Sequence, residues 1–156
     1  MHGRTYARLA CLGLAAGVLI LARQAGATLG GTAGSVTSDR EAFSAVHRAA
    51  TTHGAYTVQE FQSDATTVRE YVTSSGTVFA VAWNGRMHPD LTTLLGTFAG
   101  EYQAALKQTP RTRGLRRQQV RSDRVVVEKW GHMRNLQGRA YTPALVPSGV
   151  TINEIK

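Results

Sequence analysis

Cysteine is nearly absent: Cys11 is the single cysteine in 156 residues, and it lies inside an apolar N-terminal segment typical of a cleaved secretory signal. A chain processed after that segment retains no thiol. This excludes disulfides, thiolate catalysis, c-type haem attachment and cysteine-ligated zinc or iron–sulfur centres. The mature domain must therefore be stabilised by packing alone.

Recognisable catalytic motifs are also absent. The histidines outside the signal form no pair with i, i+4 spacing, and neither His-Glu-x-x-His, Gly-x-Ser-x-Gly nor a phosphate-binding glycine loop occurs. Glu60 and Glu70 lie on neighbouring predicted strands, where two carboxylates can flank a glycosidic bond. We interpret them instead as exposed strand residues paired with Arg69. We therefore expect no metal, no cofactor and no catalysis.

The N-terminus has the order of a secretory signal peptide. Arg4 and Arg8 precede an apolar run at residues 9–22, and residues 25–27 form a small-x-small processing site. The run is shorter than the ~20 apolar residues that span a membrane. We predict that residues 1–27 are cleaved and that residues 28–156 form a single exported domain, periplasmic or secreted, without an integral membrane span.

Positive charge is concentrated in one region of the chain. The formal net charge is +8, and it falls to +5 (8 − 3) once the signal removes its three arginines, at positions 4, 8 and 23. The candidate residues for binding an anionic lipid, lipopolysaccharide or acidic partner are Arg111, Arg113, Arg116, Arg117 and Arg121. A solvated linker is the alternative. Export, and the lack of interleaved aromatic residues, argue against nucleic acid.

Hydrophobic patterning predicts an α+β domain, in which an antiparallel meander of about five to six strands carries a long amphipathic helix on one face. Strands are predicted at residues 56–62, 67–73, 77–83, 124–130 and 133–142. The third is apolar at both parities, so it should be central. Asp90 should cap the long helix, which runs to Leu106.

A shorter N-terminal helix is also predicted. Ser38 and Glu41 have the spacing of a capping box, and Phe43, Val46 and Ala50 follow at helical spacing.

Two groups of residues are candidate sites on this fold. His88, Asp90 and His132 could form a polar site, as an envelope hydrolase would require. The aromatic residues form a sugar-binding platform if they share a sheet face; they are Tyr56, Tyr71, Trp83 and Trp130. We assign Trp83 to the core and leave Trp130 open.

Several segments together resemble a known family. They are residues 27–31 at the processing site, the central strand at 76–83, residues 89–96, and residues 138–143 followed by Val146-Pro147. In this order and spacing they look like the exported proteobacterial proteins grouped as domain-of-unknown-function family 2844. The resemblance implies export and no particular activity.

These observations favour a non-catalytic binding or accessory component of the bacterial cell envelope. Its partner would be an unknown envelope protein or an anionic polymer or lipid. An envelope hydrolase using His88, Asp90 and His132 is one alternative, and peripheral attachment to anionic lipid through residues 107–124 is another.

Overall fold

A computed structural model of the chain describes residues 29–32, 46–110 and 116–156. Within this part of the chain, seven antiparallel strands form one sheet in the order β1-β2-β3-β4-β7-β6-β5. The strands are β1 (Val46–His53), β2 (Tyr56–Gln62), β3 (Thr66–Thr73), β4 (Val78–Gly85), β5 (Arg117–Arg121), β6 (Val126–His132) and β7 (Asn135–Tyr141). The α+β class is confirmed, with more strands than the five to six expected.

The long helix after β4 is present but interrupted. It comprises α1 (Leu91–Leu95), a 3₁₀ turn (Gly96–Phe98) and α2 (Ala99–Gln108). The Asp90 side chain caps α1 by accepting a hydrogen bond from the Thr92 amide. Gly96 adopts a φ of 46°, a conformation that glycine reaches without steric cost and that breaks the regular helix at this point.

Where the structure describes the predicted N-terminal helix, from residue 46 onward, the chain is a strand and not a helix. Val46 and Ala50, which were assigned to its apolar face, lie in strand β1 and pair with β2. Val46 is 70% exposed, so the helical spacing of Val46 and Ala50 does not mark a buried face. Ser38, Glu41 and Phe43 lie outside the described residues. Pairing with β2 over the whole of β1 decides the conformation, because three apolar residues at helical spacing are a weak local preference.

The basic stretch, for which a solvated linker was one of the two readings, contains strand β5. This strand pairs with β6 from Arg117↔Trp130 to Arg121↔Val126. Val120 is the one buried position of its five residues, so the sequence lacks the apolar alternation that identifies a half-buried strand. It forms one edge of the sheet.

Both faces of the sheet are covered at its centre. On one face, which we call the helix face, the core includes Leu94, Leu95, Phe98 and Tyr102. On the opposite face, the tail face, the segment after β7 packs over Tyr71, Phe79 and Tyr141 through residues such as Ile155. Strand β4 is buried between these layers, as its apolar pattern predicted. Among the described residues, no helix is long and apolar enough to cross a membrane.

Candidate functional site

A groove of about 650 Å³ lies on the tail face beside the C-terminal segment. We call it the Trp130 groove. Its lining residues are Arg117, Trp130, Gln137, Arg139, Asn153, Ile155 and Lys156. Its volume falls within the range of about 300–1,000 Å³ that small-molecule sites occupy.

Strand register brings the groove's central residues together. Arg117 and Gln137 are the cross-strand partners of Trp130 on β5 and β7, so the three side chains leave the same face of the sheet. The indole Nε1 of Trp130 donates a 3.1 Å hydrogen bond to Gln137 Oε1. The Arg139 guanidinium lies 5.7 Å from the centre of the indole ring, a cation–π distance. The half-exposed ring is thereby held in one orientation.

A buried carboxylate lies beneath the groove and holds the side chains around it. Glu128 is 3% exposed and accepts hydrogen bonds from Arg139 Nε at 2.6 Å, Gln119 Nε2 at 2.8 Å and Arg117 Nη2 at 3.2 Å. Burying a charge is favourable only when it is paired and hydrogen-bonded, and here three donors from neighbouring strands meet that condition. Glu128 therefore fixes the positions of both groove arginines.

Arg139 also joins the sheet to the C-terminal segment. Its Nη1 donates to the carbonyl oxygens of Ile152 and Ile155, at 2.5 and 3.3 Å. Its side chain is mostly buried, whereas that of Arg117 is 65% exposed. Arg117 therefore presents its guanidinium to solvent, and Arg139 holds the groove wall.

A smaller groove of about 210 Å³ adjoins the first and shares two of its residues, Arg117 and Trp130. Its other lining residues are His88, Arg116, Gln118, Lys129, Gly131 and Leu136. The cationic side chains lining the two grooves are Arg116, Arg117, Lys129, Arg139 and Lys156. Lys129 alternates with Trp130 along β6, so its side chain leaves the opposite face of the sheet, where it donates to the Tyr102 hydroxyl. The Trp130 groove itself is lined by three cationic side chains, Arg117, Arg139 and Lys156, and by no aspartate or glutamate side chain, so it carries an excess of positive charge.

A third groove, of about 630 Å³, lies over strands β1 to β3. Its charges are paired internally: Arg69 Nε donates to Glu60 at 2.8 Å, and the Tyr56 hydroxyl donates to Glu154 at 3.1 Å. Burial, with the Glu154 hydrogen bond, raises the pKa of Tyr56. Hydrogen bonds from the Thr151 backbone and side chain lower the pKa of Glu154. These groups already have partners, so this groove offers less to a charged ligand.

The three residues of the predicted polar site have separate surroundings. His88 Nδ1 accepts a 2.9 Å hydrogen bond from the Trp83 indole, and its pKa is lowered by burial and by nearby Lys129. Asp90 caps α1, and hydrogen bonds from Thr93 and Thr92 lower its pKa. His132 is exposed at the end of β6. Of the three, His88 lines the smaller groove; their action as one site stays a prediction.

The predicted basic surface is described in part. Arg111 and Arg113 lie outside the described residues, while Arg116, Arg117 and Arg121 are exposed. Acidic partners come from distant parts of the chain: Arg117 pairs with Glu128, and Arg124 pairs with Glu101 at 2.7 Å. These partners lie 11 and 23 residues away along the chain, so sequence proximity alone did not reveal the pairs.

The four aromatic residues considered as a sugar-binding platform do not share one surface. Trp83 is buried in the helix-face core, as predicted, whereas Tyr56 and Tyr71 pack against Phe79 on the tail face. Trp130 also lies on the tail face but remains half-exposed, which answers the question that the sequence left open.

Glu60 and Glu70, which were considered as a carboxylate pair, also lie on opposite faces of the sheet. Glu60 pairs with Arg69, as expected. Glu70 follows Arg69 in β3, so its side chain points to the opposite face, and it is buried, not exposed as predicted. The two carboxylates therefore cannot flank one bond.

Glu128, Gln137 and Arg139 are site residues that no motif in the sequence predicted. The sequence did contain one signal for these site residues, which is the alternation of polar or aromatic residues in Glu128-x-Trp130 and Gln137-x-Arg139. It becomes informative only when β6 and β7 are known to pair. Among the described residues, no cluster of three or more histidine, cysteine, aspartate or glutamate side chains could hold a metal ion.

Comparison with known proteins identifies one family. A family model described as "Protein of unknown function (DUF2844)" matches residues 25–155. No curated protein matches the chain. No solved structure matches it either.

Proposed function

The chain belongs to the DUF2844 family, and because that description assigns no activity, we propose from the site itself that the protein is an exported, non-catalytic binding component of the cell envelope. The Trp130 groove is its ligand surface. The observation that carries the proposal is the fixed set of Trp130, Arg117 and Gln137 along one open groove.

The groove is suited to binding because its side chains are held before any ligand arrives. The bond between Trp130 and Gln137 and the hydrogen bonds to Glu128 are internal to the fold. Groups held in their bound geometry cost less entropy on association than mobile ones. Arg117, the most exposed of them, remains available to a partner.

The chemistry of the lining side chains favours binding over catalysis. Arginine does not lose its proton in proteins, and glutamine, asparagine and tryptophan are poor proton acceptors. General acid–base catalysis needs a group that titrates near the working pH. In the adjoining groove, His88 uses Nδ1 to accept the Trp83 hydrogen bond, which reduces its capacity as a base.

Export is supported by the N-terminal signal pattern. Residues 9–22 are apolar and end before a small-x-small site at residues 25–27. The family match begins at residue 25, so it leaves out the apolar run. An exported binding protein would meet the polymers and lipids of the envelope as its most abundant partners.

Co-sedimentation with purified peptidoglycan sacculi and with lipopolysaccharide aggregates tests this proposal. The wild-type chain should sediment with at least one of these materials, and Trp130→Ala should remain in the supernatant. Met133→Ala is the matched control, because Met133 is 90% exposed on the same hairpin and does not line the groove. Equal sedimentation of Trp130→Ala and wild type, or none by wild type, would refute the proposal. Release of soluble fragments would contradict its non-catalytic part.

Attachment to anionic lipid is a second candidate function. The observation that favours it is the exposure of Arg116 and Arg121, which take part in no ion pair within the described residues. Each basic residue near an anionic surface contributes about 1 kcal/mol. Replacing Arg113, Arg116 and Arg117 with glutamine should therefore cost about 3 kcal/mol of vesicle binding at low salt. Equal vesicle binding by the triple variant would exclude this route.

A further inference from the structure

We propose that the ligand of the Trp130 groove is an acidic saccharide: a sugar chain whose ring packs on the Trp130 indole and whose carboxylate is held by Arg117. This inference rests on the proposed function, and it adds the chemical class of the ligand.

Charge is the first argument. Three cationic side chains line the Trp130 groove, Arg117, Arg139 and Lys156, and its lining residues include no acidic side chain. Glu128 lies beneath the groove and is 3% exposed, so it is not presented to a ligand. Clefts lined by one sign of charge concentrate ligands of the opposite sign. The ligand should therefore be an anion.

Arg117 supplies the specific contact for a carboxylate. A guanidinium has five N–H donors in a planar fork, and the bond to Glu128 uses Nη2 alone. The side chain is 65% exposed, so donors remain for a second planar partner. Guanidinium groups bind carboxylates through two parallel hydrogen bonds, and the single bond from Arg117 Nη2 to Glu128 leaves Nη1 and Nε for such a contact.

Trp130 and Asn153 are suited to bind the sugar ring that carries the ligand's carboxylate. The negative face of an indole attracts the polarised C–H groups of a pyranose. Arg139 lies over one face of the Trp130 ring, so the sugar packs on the other. The exposed Asn153 side chain offers a donor and an acceptor for hydroxyl groups. Ile155, the other apolar residue of the groove, is fully buried. An acyl chain would thus find little apolar surface.

Isothermal titration calorimetry of the purified chain tests the ligand class. The probes are a short oligogalacturonate, the neutral oligogalactose of the same length and linkage, and phosphatidylglycerol vesicles. We expect the oligogalacturonate to bind and the neutral sugar to bind about tenfold or more weakly, since a hydrogen bond to a charged partner contributes affinity of this order. Vesicles should not compete for the oligogalacturonate.

Arg117→Gln and Arg121→Gln form a matched pair of variants. Both remove one exposed charge from the same face of β5, but Arg121 does not line either groove. Arg117→Gln should weaken oligogalacturonate binding about tenfold and remove its advantage over the neutral sugar, whereas Arg121→Gln should change oligogalacturonate binding less than about twofold. Trp130→Ala should weaken binding of both sugars.

Each other outcome overturns a distinct claim. Equal losses in Arg117→Gln and Arg121→Gln would mean nonspecific attraction and refute the Arg117 contact. Equal binding of the neutral sugar, or competition by vesicles, would refute the acidic saccharide. Trp130-dependent sedimentation with sacculi or lipopolysaccharide, without oligogalacturonate binding, would refute the ligand class and leave the proposed binding function standing. Absence of both would refute the two together.

Discussion

The buried indole of Trp83 donates its N–H to Nδ1 of His88 at 2.9 Å, five residues along the chain and across the turn that leads to α1. This bond satisfies the one polar atom of a large core side chain. It also requires that Nδ1 of His88 carry no proton. His88 is therefore held as a neutral imidazole whose remaining N–H is on Nε2.

Protonation of His88 should destabilise the fold. Burial, and then Lys129, lower the pKa of His88 below its usual 6.5, so the unfolded chain binds a proton more readily. Stability from this group is complete above pH 6.5 and decreases as the pH falls from there toward the lower folded-state pKa. Urea unfolding of wild type and His88→Gln at pH 7.5 and 5 measures this. Glutamine can still accept the indole hydrogen bond, so the variant should lose less stability on acidification. An equal loss in both proteins would contradict the prediction.

A methyl group at Gly138 should destabilise the domain. An ideal Cβ at this position would lie 2.3 Å from Cζ2 of Trp83, which is too close for any real contact, and a rigid buried indole cannot move aside easily. We expect Gly138→Ala to cost about 1–3 kcal/mol of unfolding free energy, the usual range for an overpacked core.

Gly100→Ala is the control for this substitution. A Cβ at Gly100, in the first turn of α2, would meet nothing within 4 Å, and alanine is a better helix former than glycine by up to about 1 kcal/mol. Chemical denaturation should therefore show changes of opposite sign in the two variants. A neutral Gly138→Ala would mean that Trp83 does not pack there.

Truncation of Phe79 should remove much of the tail-face core. Phe79 is fully buried in β4 and meets the rings of Tyr56 and Tyr71 edge-on, at 5.9 and 6.1 Å between centroids. Phe79→Ala should reduce the unfolding free energy by about 3–5 kcal/mol. Val46→Ala, at an exposed position of edge strand β1, should change it by less than about 0.5 kcal/mol. A loss below about 1 kcal/mol for Phe79→Ala would place this strand outside the core.

The two arginines on Glu128 should contribute unequally to stability. Arg139→Gln removes the mostly buried partner of a buried carboxylate and should cost about 3–5 kcal/mol. Arg117→Gln removes a largely exposed partner and should cost about 1 kcal/mol or less. Equilibrium denaturation of both variants provides the test. If Arg117→Gln proved as destabilising as Arg139→Gln, Arg117 would be a structural residue and not a ligand contact.

If the chain is exported, the mature protein should have the mass of a processed chain. Cleavage after Ala27 leaves a mature chain that begins at Thr28. Intact-mass spectrometry of protein from the periplasmic fraction or the medium should give the mass of residues 28–156. Replacing Ala25 and Ala27 with bulky residues should block processing, because signal cleavage requires small residues at these positions. A soluble species that retains Met1 would count against the signal.

Local signals in the sequence predicted the middle of the fold well. The apolar residues of β4 at both parities placed this strand at the centre of the sheet, and Asp90 was recognised as the cap of α1. Each of these features depends on neighbours within a few residues.

Both edge strands were missed for one reason. All eight residues of β1 are exposed, and β5 buries Val120 alone. A strand with no buried face has no period-two pattern to read, and its conformation comes from backbone hydrogen bonds to the next strand. For β1, a chance helical spacing of Val46 and Ala50 then suggested the wrong element.

The sequence by itself determined the α+β class, the central strand, the long helix and the excess of positive charge, because hydrophobic periodicity, capping and composition are properties of short segments. Only the tertiary structure decided that Arg117, Trp130 and Gln137 share one groove above a buried Glu128. These residues come from three strands, and register between strands fixes which side chains meet. That register is set by cooperative backbone pairing and core packing over the whole sheet, which no single segment encodes.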